Sequence, residues 1–110
     1  MTAEERDVVF RRCICDYGTN QQIDMAIEEM SELTKALLKW KRARGKALTA
    51  ARDGIIDELA DVRIMARQME IIFQCEDEVE RRIDFKVSRQ SGRLEEWEAE
   101  HGEKRIRHSC

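Results

Sequence analysis

The sequence predicts an all-α protein, an antiparallel bundle of about four long helices that oligomerisation completes. Of its 110 residues, 42% are apolar and 39% are charged, and proline is absent. Apolar residues recur every three or four positions over long stretches, which is the periodicity of an amphipathic helix. Because a chain of this size buries only a modest core alone, we expect a homodimer or homotetramer.

The first two predicted helices are separated by a short break. The first helix covers residues 3–16, and Gly18 is expected to cap its C-terminus. Thr19 or Asn20 is expected to cap the second helix, which runs over about 21–43. The apolar face of the second helix predicts its core residues: Ile23, Ala26, Ile27, Met30, Thr34, Leu37 and Leu38.

The second half of the chain predicts two more helices and a tail. The third helix starts near Leu48 or a few residues later and runs to about 74, and the fourth covers about 76–91, where Ser91-Gly92 weakens or ends it. We assign residues 1–94 to one helical domain and 95–110 to a charged tail, frayed or loose. The main apolar stripe of the third helix is Ile55, Leu59, Val62, Ala66, Met69 and Phe73.

Charge, hydropathy and cysteine usage exclude several classes of protein. A net charge of −3 gives no reason to expect a nucleic-acid partner. No apolar run approaches the roughly 20 residues that span a bilayer, and the acidic N-terminus lacks a signal-peptide layout. The cysteines lack the spacing of a zinc site, so we expect reduced thiols in a cytoplasmic protein: Cys13, Cys15, Cys75 and Cys110.

Two acidic segments, EEMSEL at 28–33 and DELADV at 57–62, are the most informative feature. Single acids on such helices usually belong to a solvated face, but these acids are paired in the centre of two stripes. If the two helices pack antiparallel, four carboxylates converge and need a cation to stay ionised. Each stripe has the spacing four, three, four: Met25, Glu29, Glu32 and Ala36 on the second helix, and Gly54, Glu58, Asp61 and Met65 on the third.

The ligand chemistry favours Mg²⁺, with Mn²⁺ as a substitute, because all the candidate ligands are carboxylate oxygens. Mg²⁺ held by a few carboxylates is typical of a phosphate substrate, which needs cations facing it. Lys86, Arg89 and Arg93 share one stripe of the fourth helix, with Gln90 beside them. We therefore expect these cations to neutralise phosphates rather than to form a plain basic surface.

Together these motifs resemble the MazG-like nucleotide pyrophosphohydrolases of the all-α NTP pyrophosphatase group. The motif E-E-x-x-E at 28–32, the E-x-x-D at 58–61 and the K-x-x-R-x-x-x-R at 86–93 carry the resemblance, which covers residues 17–94. Members often have an asparagine in the basic segment, where this chain has Gln90.

The resemblance implies hydrolysis of a nucleoside triphosphate to the monophosphate and pyrophosphate. It implies that Glu29, Glu32, Glu58 and Asp61 hold the metal and serve catalysis. Lys86, Arg93 and, less directly, Arg89 are expected to hold the phosphates, and Gln22 or Gln21 to approach the base or sugar. Glu28 lies about 100° from Glu29 around the helix and is the poorer ligand. The alternative is a non-catalytic module for oligomerisation or metal binding that keeps the fold.

Overall fold

The computed structural model describes residues 1–102, and all regular structure within them is helical. The helices are α1 (Ala3–Tyr17), α2 (Thr19–Arg42), α3 (Ala47–Phe73) and α4 (Glu76–His101). The all-α prediction is therefore confirmed, whereas the four-helix bundle and its completion by oligomerisation stay predictions. None of the helices in this part of the chain has the length and apolar character that crossing a bilayer requires.

The ends of α1 are fixed by local chemistry. Thr2 Oγ1 accepts a hydrogen bond from the Glu5 backbone at 3.1 Å, and Glu5 Oε1 accepts one from the Thr2 backbone at 2.8 Å. Gly18 ends α1 at φ 99°, as predicted, a conformation that favours glycine. The predicted capping of α2 by Thr19 or Asn20 is wrong. Gly18 also precedes α2 directly, which leaves no intervening residue to provide a side-chain cap.

The observed bounds of α2 and α3 lie within two residues of the predicted ones. A short connection, residues 43–46, joins the two helices, with Gly45 at φ 58°. At the other end of α3, Gln74 adopts a left-handed conformation at φ 50° and its backbone N–H bonds back to the last turn.

The described residues divide into two units. The first, Met1–Gln74, contains α1, α2 and α3, in which α2 packs along α3 and α1 contacts both. The second begins at Cys75 and contains α4. The assignment of residues 1–94 to one domain stays a prediction.

Helix α4 is longer than the sequence predicts. It continues through Ser91-Gly92 to His101, so the alternative in which the helix ends at Ser91-Gly92 is wrong, and residues 95–101 of the predicted tail are helical and do not form a loose chain. A single glycine in a helix costs only about 1 kcal/mol, and strong helix formers follow it. The Trp97 and His101 rings also stack with their centroids 3.8 Å apart. The rest of the predicted tail, 103–110, lies outside the described residues.

The predicted core face of α2 is confirmed at Ala26, which is 4% exposed, and is wrong for most of its larger apolar residues. Ile27 is 60% exposed, and Met30, Leu37 and Leu38 are also exposed. Much of the predicted stripe of α3 is exposed as well, with Phe73 62% exposed.

Hydrophobic periodicity identifies an apolar face but not the element that covers it. The face of α2 that meets α3 carries Gln22, Ala26 and Glu29, and it shares only Ala26 with the predicted core face. The buried apolar residues at this contact and beside it are Ala26, Ala51 and Met65.

Candidate metal centre

The candidate centre is a layer of three carboxylates between α2 and α3. Glu29 lies on α2, and Glu58 and Asp61 lie one turn apart on α3. One carboxylate oxygen of each residue lies within 4.8 Å of those of the other two. All three residues are half-buried. We call these three residues the carboxylate layer.

Antiparallel packing of the two helices produces this layer. Glu29 meets Asp61, and Gln22 donates a hydrogen bond from its Nε2 to Gln68 Oε1 at 2.7 Å. Gln22 precedes Glu29 by seven residues and Gln68 follows Asp61 by seven. The two pairs are therefore two turns apart on both helices, which run in opposite directions.

The electrostatics of Glu29 disfavour its ionised form. Partial burial raises the pKa of its carboxyl above the ordinary value, because water no longer solvates the charge fully. The charge of Asp61, a hydrogen bond with Asp61, and the charges of Glu58 and Glu28 raise this pKa further. Glu29 thus shares a proton with its neighbour more readily than an exposed glutamate does.

Glu58 is perturbed in the same direction. Burial is the largest cause that raises its pKa, followed by the charges of Asp61, Glu32 and Asp57, and a hydrogen bond with Glu29 partly offsets the shift. Its Oε2 atom is buried and has no hydrogen-bond partner among the described residues. A buried acceptor without a donor is unfavourable, so this oxygen lacks the positive partner that such groups normally have.

The donor set fits a hard divalent cation. The layer offers carboxylate oxygens only, with neither histidine nor cysteine among its members, and Mg²⁺ and Mn²⁺ prefer such ligands. A cation between the acids would remove their repulsion and give Glu58 Oε2 a partner. Exposed acidic groups also occur together without a metal, so the unpartnered oxygen is the more specific observation.

Two predicted acids lie outside the carboxylate layer. Glu32 accepts a hydrogen bond from Lys35 Nζ at 3.4 Å, and its charge reaches Glu58. Glu28 is exposed on α2, beside Glu29 and away from α3. The structure therefore brings together three of the four carboxylates that the sequence predicts as ligands.

The predicted substrate residues lie on two helices. Gln22 is 5% exposed and its Nε2 donates to Gln68, so its predicted contact with the base or sugar is disfavoured because little of the side chain reaches solvent. Lys86, Arg89 and Arg93 are exposed on α4 and share one face of it because the helix is continuous. The Arg89 guanidinium carbon lies 5.8 Å from the centre of the Phe85 ring. Their meeting with the carboxylate layer stays a prediction.

Sequence reasoning missed two polar contacts in the first unit. Gln68, three residues beyond Met65, extends the predicted acidic stripe of α3 by one turn, and this spacing is a signal that could have found it. Arg67 holds α1 on α3 through two bonds to Asp7, at 3.0 Å and 2.7 Å, and it also bonds Glu70 at 3.1 Å. No local pattern indicates the bond between Arg67 and Asp7, which are 60 residues apart.

Comparisons with protein-family models, with curated proteins and with solved structures find no match to the chain. The likeness to the MazG-like pyrophosphohydrolases therefore rests on the motifs of the sequence.

Proposed function

We propose that the protein is a Mg²⁺-dependent nucleoside triphosphate pyrophosphohydrolase, which uses water to cleave the bond between the α and β phosphates. The products are the nucleoside monophosphate and pyrophosphate. The observation that carries the proposal is the carboxylate layer, in which Glu58 Oε2 is buried and has no hydrogen-bond partner within residues 1–102. The motif resemblance supplies the reaction, and the oxygen-only donor set supports the metal.

The proposed roles follow from chemistry and position. Glu29, Glu58 and Asp61 hold Mg²⁺, or Mn²⁺ in its place, with Glu32 adjacent. When bound there, Mg²⁺ would supply Lewis-acid chemistry, polarising phosphoryl oxygens and lowering the pKa of the attacking water. A carboxylate of the layer that does not bind the cation, or Glu32 beside it, is placed to accept the proton of that water.

On the substrate side, the cations of α4 bind phosphate. Lys86 and Arg93, with Arg89, offset the negative charge that develops on the leaving pyrophosphate. Gln22 is left out of this set because its side chain is buried and bonded to Gln68.

We also propose that the chain works as a homodimer or homotetramer in the cytoplasm. The exposed apolar side chains of α2 are clustered on one face, and in a monomer they remain in contact with water. A second copy that covers this face would complete a larger bundle. The described cysteines are free thiols, as is usual in the cytoplasm: Cys13, Cys15 and Cys75.

A panel of ribo- and deoxyribonucleoside triphosphates, assayed for pyrophosphate release with Mg²⁺ and with EDTA, tests the proposal. We expect turnover of at least one nucleotide with Mg²⁺ and none with EDTA. The variant Glu58→Gln should lose this activity, while Asp57→Asn, an exposed neighbour on α3, should keep it. No turnover of any nucleotide by the folded wild type contradicts the enzyme.

The exposed apolar face of α2 favours one second candidate, a non-catalytic module for oligomerisation or metal binding. Such a module would form oligomers, and bind Mn²⁺ or not, without hydrolysing any nucleotide. The same panel, combined with sedimentation of the wild type, separates the two functions.

A further inference from the structure

The buried Gln22–Gln68 pair is the most specific polar contact between α2 and α3. Gln22 is 5% exposed and Gln68 is 3% exposed, and the bond between their side chains measures 2.7 Å. Such a pair has a directional requirement, because each amide must meet its partner at bonding distance and angle.

The apolar packing around the pair has little shape specificity. The buried apolar residues in the described part of the chain are two alanines and a methionine: Ala26, Ala51 and Met65. Small side chains and flexible methionine accept several relative positions of two helices. A polar pair in such a contact selects one arrangement, as a buried asparagine does in a coiled coil.

The two ends of the α2–α3 pair are held differently. The connection of residues 43–46 joins the helices at one end. Gln22 and Gln68 lie near the other end, which we call the open end, because no loop joins α2 to α3 there. The restraint at this end comes from α1, which contacts both helices and bonds Arg67 through Asp7. The carboxylate layer lies between, about 10 Å from the glutamine pair. Repulsion within this layer pushes the helices apart at the open end, where the connection gives the least restraint.

We propose that the Gln22–Gln68 pair is a clamp that closes the open end and holds Glu29 against Glu58 and Asp61 before a cation binds. The two glutamines are positioning residues. They touch neither cation nor substrate, and they lower the cost of assembling the ligands. This inference rests on the metal centre of the proposed function. It replaces the predicted contact of Gln22 with the base or sugar.

The double variant Gln22→Met/Gln68→Met tests the clamp in the full-length chain. Methionine has nearly the volume of glutamine, and removing both amides leaves no orphaned polar group, so folding should survive. We expect an unfolding midpoint in urea that is equal to or above that of the wild type. We also expect Mn²⁺ binding, followed by electron paramagnetic resonance, to weaken about tenfold or more. Asn20→Met, which removes an amide at an exposed position on the same helix, is the matched control and should change neither.

The other outcomes overturn the clamp. Unchanged Mn²⁺ affinity in the double variant contradicts it, and so does loss of folding, since the pair would then supply stability rather than alignment. A raised KM for nucleotide with unchanged Mn²⁺ affinity would show that Gln22 contacts the substrate and does not align the metal ligands. If the wild type itself binds no Mn²⁺, the proposed metal centre fails, which is distinct from failure of the clamp in a protein that binds it.

Discussion

In the first unit, carboxylates come together at two contacts made by α3. A cationic side chain neutralises the carboxylates at one contact but not at the other. Where α1 meets α3, Arg67 bonds both Asp7 and Glu70. Where α2 meets α3, the carboxylate layer has no such partner: within residues 1–102, no ion pair joins Glu29, Glu58 or Asp61 to a cationic side chain.

The pKa values follow this difference. The hydrogen bond with Arg67 lowers the pKa of Asp7, which overrides the opposing effect of burial. Burial and neighbouring acids raise the pKa of Glu29 and Glu58. The chain therefore neutralises carboxylates that join helices, and leaves unneutralised those that the proposed function assigns to a cation.

The largest effect is expected from a substitution in the carboxylate layer. Glu58→Gln removes one charge and keeps the shape, so repulsion in the layer falls and the metal-free chain should become more stable to urea. Mg²⁺ affinity, measured by calorimetry, should fall by more than about 100-fold, since this exceeds the loss usual for residues that only support a ligand. A variant that loses stability and keeps its Mg²⁺ affinity shows that the acid is structural.

The matching change at the other contact is Arg67→Met. It leaves Asp7 and Glu70 without their shared cation, and we expect the free energy of unfolding to fall by about 2 kcal/mol, a value discounted for partial exposure. Urea denaturation in EDTA measures it. Arg63→Met, at an exposed position on the same helix, is the control. If the free energy of unfolding falls equally in the two variants, the contacts of Arg67 with Asp7 and Glu70 contribute nothing to stability.

The two contacts also predict opposite responses to pH in EDTA. Because the folded pKa values of Glu29 and Glu58 are raised, their contribution to stability is fully present below the unfolded value, about 4.3, and is lost as the pH rises through the folded values. The pKa of Asp7 is lowered, so its contribution is present above about 3.9 and is lost as the pH falls through the folded value.

The urea midpoint in EDTA should therefore increase as the pH is lowered through the raised folded pKa values of Glu29 and Glu58, and decrease again as the pH falls through the lowered pKa of Asp7. The double variant Glu29→Gln/Glu58→Gln should remove most of the increase in the midpoint. The variant Asp7→Asn should remove most of the decrease at acidic pH. Saturating Mg²⁺ should also remove the increase in the midpoint, because the cation stabilises the ionised acids. A midpoint in EDTA that does not increase at any point as the pH is lowered from neutral to the unfolded pKa of about 4.3 is inconsistent with a repulsive layer.

The sequence is sufficient to predict features set by short-range spacing. Helix bounds follow from apolar periodicity and from glycine, and the four-three-four spacing alone predicts that Glu29, Glu58 and Asp61 lie on facing stripes. Ser91-Gly92 misleads because a local preference of about 1 kcal/mol does not end a helix whose other residues favour it.

The features that could not be predicted depend on residues far apart in the chain. The bond from Gln22 to Gln68 spans 46 residues, and the bond from Arg67 to Asp7 spans 60. Periodicity also ranks the two faces of α2 by hydrophobicity and selects the more apolar one as the core. In the structure the small and acidic face meets α3, because close helix approach there needs small residues rather than the most apolar ones.

The prediction with the smallest expected effect tests whether charge repulsion alone destabilises the α2–α3 contact. Gly54 lies one turn before Glu58 on α3, and a Cβ added there meets no atom within 4 Å. Gly54→Ala should raise the free energy of unfolding by about 0.5 to 1 kcal/mol, because alanine loses less backbone entropy on folding. Gly92→Ala in α4, where a Cβ also has open space, is the matched control and should gain as much. If Gly54→Ala destabilises the chain while Gly92→Ala stabilises it, the space beside the carboxylate layer is itself required, and charge alone does not distinguish the two contacts.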